Sequence, residues 1–150
     1  MPLIRPPHGN ERDFLHALWD RSVRATHDFL TEDDIAFYSP MVRGLLDMDV
    51  EFWVACDETA NIPLGFMVLG RSPEQGWKLE ALFIDPVHSR RGVGTLLVRH
   101  ARLLKGRLAL DVNEQNPGAL AFYVRTGFRE TGRSPLDGTG RPFPMVHMEG

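Results

Sequence analysis

Residues 89 to 101 read SRRGVGTLLVRHA: two arginines and two glycines stand where an apolar helical pattern starts. Glycine lets a ligand approach the main chain with no Cβ in the way. The first turn of a helix leaves several N–H groups free, and the helix dipole adds partial positive charge there. Together these features suit a pyrophosphate group. A lone Gly-x-Gly says little, but here a strand, a proline break, paired arginines and a helix surround it in order. A dinucleotide fingerprint would need a third glycine where Leu97 stands, and a Walker loop would need Gly-Lys-Ser/Thr. Glycines that merely turn the chain tightly are the bland alternative.

Elements on either side must position that loop. Asn10, with Asp13 three residues on, can cap a first helix carrying Phe14, Leu15, Leu18, Trp19 and Ser22 at helical spacing. Thr31 with Asp34 repeats the capping pattern before a short second helix, and Pro40 and Gly44 blur the segment after it. From Glu51 the period changes to two: EFWVACD and PLGFMVLG read as strands around a DETAN hairpin loop, and WKLEALFID as a third strand ended by Pro86. Gly92 to Lys105 reads as a helix with Leu97, Ala101 and Leu104 on its apolar side and Arg99, Arg102 and Lys105 facing water, stopped by Gly106. LALDV is a strand. Asn116 as N-cap, Pro117 in the first turn and Gly127 past the end mark a further helix. GFRETGR and PFPMVHM close the chain as two strands around a DGTG turn. The order predicts a mixed α/β layer fold, not a regularly alternating doubly wound sheet.

The 150 residues match one ordinary domain, spanning residues 1–150. A net charge of −3 with 25% charged residues argues against nucleic acid or an anionic membrane as partner, so attraction for phosphate must be local. Cys56 is the only cysteine and sits in the apolar run FWVAC, which predicts a buried thiol and a reducing compartment. The N-terminal MPLIRPPHGN lacks a signal-peptide pattern, and no apolar run approaches the roughly 20 residues of a membrane helix. A cytoplasmic protein is expected. The six histidines show no HxH or HExxH spacing, so no metal site is expected.

LFIDPVHSRRGVGTLLV resembles motif A of the GNAT superfamily of acyl-CoA-dependent N-acetyltransferases, and VNEQNPGALAFYVRTGF resembles its motif B, in the family's order and separation. The resemblance implies a GNAT fold: a central, mostly antiparallel, splayed β-sheet flanked by helices on both faces. It implies acetyl-CoA as co-substrate, with main-chain N–H groups of Arg90, Arg91, Gly92, Val93, Gly94 and Thr95 on the pyrophosphate. The family loop usually opens with Arg or Gln, where this chain has Ser89.

By the same resemblance Leu82, Phe83 and Ile84 supply backbone contacts to the pantetheine arm, and an amide of Phe83 or Leu82 stabilises the oxyanion. Tyr123 matches the family tyrosine that protonates the departing thiolate, while Asn116 both caps its helix and meets the pantetheine. An amine acceptor arrives largely as ammonium, so a proton acceptor is needed. Glu80 is the first candidate, two residues before Leu82 and expected on the same strand face. His27, between the first two helices, is the second, and His147 a distant third. Trp19, Phe29, Phe37, Tyr38 and Phe143 would line the acceptor site, with Asp28 and Asp33 attracting a cation and Arg141 meeting a carboxylate. The expectation is direct transfer to a small-molecule or peptide amine. A non-catalytic acyl-CoA-binding or sensing module is the alternative. Homodimers are common in the family, but no feature of the sequence specifies one.

Overall fold

Helical spacing gives way to alternation at Glu51, and the chain changes its structure there. The computed structural model describes residues 2–48 and 50–150. Ahead of the change stand β1 (Leu3–Arg5), α1 (Arg12–Thr26) and α2 (Glu32–Asp47); beyond it come β2 (Glu51–Cys56), β3 (Pro63–Ser72) and β4 (Gly76–Ile84). A 3-10 turn (Pro86–His88) leads to α3 (Val93–Lys105), β5 (Ala109–Asn113), α4 (Pro117–Arg125), β6 (Arg129–Ser134) and β7 (Met145–Glu149). Among the described residues the strands form one seven-stranded sheet in the order β1-β2-β3-β4-β5-β7-β6.

Every neighbouring pair is antiparallel except β4 and β5, which are parallel and share a single register pair, Lys78 with Ala109. Past that pair β4 runs on to Ile84 and β5 to Asn113 with no ladder between them. The sheet therefore splays there, as the family resemblance predicts. Unpaired strand edges keep their N–H and C=O groups free, so the gap can take an extended ligand.

Helices cover both faces. Val93, Leu97, Val98 and Ala101 of α3 pack with Met67, Leu69, Leu79, Leu110, Val112, Val146 and Met148, and Tyr123 and Phe122 of α4 lie against this cluster. On the opposite face Leu15, Leu18, Trp19 and Val23 of α1 and Ile35 and Leu46 of α2 pack on Val54, Phe66 and Val68. Cys56 is fully buried in this second cluster, and burial pushes its thiol above the ordinary range.

Several local expectations change. Asn10 does not cap α1: Glu11 is the N-cap, and its carboxylate binds Arg5 (2.8 Å) and the His8 amide (2.7 Å) instead. Arg5 belongs to β1, a strand too short for its alternation to register in the sequence. The capping box at Thr31 and Asp34 forms as read, but α2 is long, running through an exposed Pro40 because Ile35, Tyr38, Val42 and Leu45 anchor both halves. On α3, Leu104 is exposed and Val98 takes its place in the core. Arg102 does not face water: it lies over the Phe128 ring (4.5 Å) and donates to the Thr126 carbonyl, tying α3 to the end of α4. Lys105 pairs with Glu51 (2.9 Å) above the Trp77 ring.

Candidate active site

The glycine loop turns through two residues in the left-handed region, one of them not a glycine. Gly92 is the N-cap of α3 at φ +77°, and Arg90 adopts φ +64°, rare for a residue with a side chain. A glycine N-cap has no side chain to satisfy the first amides of the helix. The first helical N–H with an acceptor is that of Leu96, on the Gly92 carbonyl at 3.0 Å. Among the described residues, nothing engages the amides of residues 90 to 95. A Cβ on Gly92 would meet nothing within 4 Å, so its face is open. Gly94 serves packing: a Cβ there would lie 3.1 Å from Cζ of Phe122, so its absence lets α4 close on α3. Val93 buries its side chain while Arg90, Arg91 and Thr95 are exposed. Asp85 fixes the approach to the loop, accepting from Arg21 of α1 (2.8 Å) and from the Val87 amide (3.2 Å). Burial raises its pKa, but these two donors outweigh burial and hold it below the usual carboxylate range.

Leu82, Phe83 and Ile84 occupy the free end of β4. Leu82 and Ile84 turn toward α3 and α4, Phe83 toward α1 and α2. Glu80 departs from the expected geometry. Ala81 pairs with Val68 and Leu79 with Leu69, so Glu80 is the extra residue of a bulge. Its carboxylate lies over Gly70, where a Cβ would come within 2.9 Å of Oε1. Gly70 shares the face of Val68, so Glu80 points to the α1/α2 side, opposite Leu82.

Tyr123 stands edge-on to Phe122 (5.2 Å) and Phe128 (5.6 Å). Its carbonyl accepts from the amides of Thr126 (3.2 Å) and Phe128 (2.9 Å) and from Thr126 Oγ1 (3.0 Å), which pins the backbone beneath the ring. Burial pushes its phenol well above the ordinary tyrosine value, so it stays protonated through the neutral range. Among the described residues its hydroxyl has no hydrogen-bond partner. Asn116 is buried, and its Oδ1 accepts from the Ala119 amide (3.2 Å) as a true N-cap.

On the other face the β6–β7 loop closes over the start of α2. Tyr38 donates to Asp137, and Arg141 donates to Asp34 (2.7 Å) while lying over Phe37 (4.2 Å). Arg141 thus meets a carboxylate of the protein itself. Phe29 bridges His27 (5.4 Å) and Phe143 (5.8 Å), giving the expected aromatic wall. Trp19 is not part of it, being 3% exposed in the core. His27 is half-buried at the end of α1 with Nδ1 on Thr26 Oγ1 (2.7 Å), and burial lowers its pKa despite Asp28 nearby. Asp28 and Asp33 are exposed.

One cluster escapes the sequence reading. Lys78 Nζ lies 2.7 Å from Asp111 Oδ2, and Asp111 Oδ1 accepts from His147 Nδ1 at 2.5 Å. Ser134 Oγ lies 2.6 Å from His147 Nε2. The four residues come from β4, β5, β7 and β6, four neighbouring strands. Burial raises the Asp111 pKa, but hydrogen bonds from Lys78 and His147 overcome it and hold the carboxyl below its usual range. Asp111 and His147 each stand between two buried apolar residues, in LDV and VHM, which marks them as pointing away from the α3/α4 core. Their proximity has no such signal.

Among the described residues, no helix is long and apolar enough to cross a membrane, and no group of three His, Cys, Asp or Glu could hold a metal ion.

Residues 49–130 match the family described as an acetyltransferase (GNAT) domain. The chain is 41% identical to the peptidyl-lysine N-acetyltransferase YjaB of Escherichia coli K12, over 97% of this chain and 94% of that protein. The solution structure of apo-form YjaB from Escherichia coli superposes with a TM-score of 0.87 at 40% identity, covering 99% of this chain and 97% of that one. The crystal structure of a PaiA N-acetyltransferase from Thermoplasma acidophilum, in complex with coenzyme A, has the same fold: TM-score 0.78, 20% identity, 99% and 98% coverage.

Proposed function

The chain belongs to the GNAT acetyltransferase family and is an N-acetyltransferase that uses acetyl-CoA; on that premise we propose that its acceptor is the ε-amine of a lysine in a peptide or protein. Two relatives about 41% identical, from Escherichia coli and Salmonella typhimurium, are named peptidyl-lysine N-acetyltransferases. The observation that carries the assignment is the gap between β4 and β5, with free loop amides at one end and charged side chains along the α1/α2 face. An enzyme of this family at this identity sets aside the non-catalytic sensing module.

In this reading the diphosphate of the donor rests on the amides of residues 90 to 95. Arg90 and Arg91 add charge where the family's usual Arg or Gln is Ser89. The pantetheine arm lies along Leu82, Phe83 and Ile84 as an added strand, with Asn116 at its flank. The amide of Phe83 or Leu82 receives the developing oxyanion. Glu80, on the acceptor face, takes the first proton of the incoming ammonium, and His27, kept neutral by burial, is the second candidate for that step. The amine attacks the thioester directly. Tyr123, protonated and with a free hydroxyl, gives its proton to the leaving thiolate. The aromatic wall of Phe29, Tyr38 and Phe143 holds the aliphatic stem of the acceptor. The reaction takes place in the cytoplasm.

Release of CoA thiol from acetyl-CoA should rise when lysine-containing peptides are added and stay flat with the same peptides pre-acetylated at lysine. Turnover with free amines or N-terminal amines, and none with lysine peptides, would refute the acceptor assignment.

A further inference from the structure

Of the 17 lysine and arginine residues, only two are lysines, Lys78 and Lys105. Lys105 lies on the opposite, α3 side of the sheet, over Trp77 and paired with Glu51. Lys78 stands at the apex of the splay. It pairs across the parallel ladder with Ala109, yet its ammonium binds Asp111, two residues further along β5. Its side chain therefore leans about 6–7 Å forward along the strands, level with Glu80 and toward Leu82 and Phe83. It does so on the α1/α2 face, because Lys78 pairs with Gly70, which shares the side of Val68.

Asp111 is held from behind. Its Oδ1 takes the Nδ1–H of His147, whose Nε2 is in turn held by the Ser134 hydroxyl. The Ser–His–Asp order is that of a nucleophile triad, but Ser134 lies three strands from β4. At about 4.8 Å per strand, that puts it roughly 14 Å from the proposed thioester site. The amine aimed at that site is the ε-amine of Lys78. Its side chain is 21% exposed, neither sealed in the core nor free in water.

We propose that Lys78 is an acetyl acceptor of this enzyme in its own right, modified within the same molecule and presented to the thioester by Asp111. The inference rests on the acetyltransferase reading above. One proton of the ammonium passes to Glu80 on the same face, while Asp111, held ionised by its partners, only orients the nitrogen, and the freed amine forms the N–C bond. The C–S bond breaks and the sulfur leaves as thiolate, protonated by Tyr123. The second proton lost from nitrogen returns to the phenolate, and the first goes to solvent. The products are ε-acetyl-Lys78, CoA thiol and one proton. Acetylation removes the positive charge, so Asp111 Oδ2 loses its ammonium partner while Oδ1 stays on His147, and Oδ2 is open to the ammonium of an external acceptor. Self-modification thus exposes the binding group that Lys78 occupies beforehand.

Incubation of the purified full chain with acetyl-CoA, followed by peptide mass mapping, tests this. The expected result is one added acetyl group on Lys78 and none on Lys105, at a rate independent of protein concentration. Tyr123→Phe should slow it about 10²–10⁴-fold, and Asp111→Asn roughly tenfold or more. Lys78→Arg should abolish it while keeping the charge on Asp111. Equal modification of both lysines, or an unchanged rate at Lys78 in Tyr123→Phe, would mean uncatalysed chemistry and overturn the proposal. A wild-type chain that acetylates a lysine peptide but leaves Lys78 unmodified would overturn it while the acetyltransferase reading stands. A chain that acetylates neither, yet binds CoA, would remove the reading and this inference with it.

Discussion

The two faces of the sheet are built from different materials. On the α3/α4 face, recognition of the donor is proposed to rest on the main chain: amides of one short loop and the bare edge of one strand, supported by an apolar cluster. On the α1/α2 face, the groups proposed to meet the acceptor or to hold those that do are side chains drawn from several strands, among them Glu80, Lys78, Asp111 and His147. Backbone recognition demands only that certain side chains be absent or small, and it fits in a short run of sequence. Side-chain recognition demands particular groups at particular places, and the sheet can gather those from anywhere in the chain.

The sharpest way to break this division is Tyr123→Phe, the one donor-face side chain given a chemical task. Its kcat should fall about 10²–10⁴-fold with CoA affinity unchanged, read by steady-state kinetics and calorimetry. Unchanged turnover would leave that face with backbone recognition alone. Next in size is Gly92→Val. A β-branched residue at φ +77° costs about 1–2 kcal/mol and covers the open amides. The CoA dissociation constant should rise roughly tenfold. Gly70→Ala probes the acceptor face. The three atoms nearest a new Cβ, Oε1, Cγ and Cδ, all belong to the flexible side chain of Glu80, so the melting temperature should hold while kcat/KM for the acceptor falls several-fold, roughly tenfold at most. CoA affinity should not move.

The smallest effect concerns pH. Among the described residues, the buried His100 Nε2, on the α3 side, is without a partner, and burial lowers its pKa. The unfolded chain then takes up a proton that the folded histidine refuses. Its contribution to stability is complete above the unfolded value of about 6.5 and is lost as pH falls from there toward the lowered folded value. His27 adds in the same direction. Thermal melts from about pH 7.5 to about pH 5 should show stability falling, with a shallower slope in His100→Leu.

Legibility in the sequence divides along the same line. The strand–loop–helix order around Gly92, the caps at Thr31 and Asn116 and the proline break before α3 are local patterns, and each is realised. Glu80 was readable as a strand carboxylate but not as a bulge. A bulge is set by pairing with β3, and it reversed the face on which Glu80 stands. Asp111 and His147 showed alternation but not partnership, because their bond spans 36 positions and depends on β7 inserting between β5 and β6. Arg102 and Lys105 looked solvated by helical periodicity alone. Their contacts to Phe128 and Trp77 come from neighbouring elements that helical periodicity cannot see.

The central claim is that loop amides, not side chains, hold the donor and aim its sulfur at Tyr123. A crystal structure of the chain with CoA tests it most directly. The account predicts diphosphate oxygens about 3 Å from amides of residues 90 to 95, and the Tyr123 hydroxyl within about 3.5 Å of the sulfur. A diphosphate held by side chains elsewhere, or a sulfur out of reach of the phenol, would contradict it.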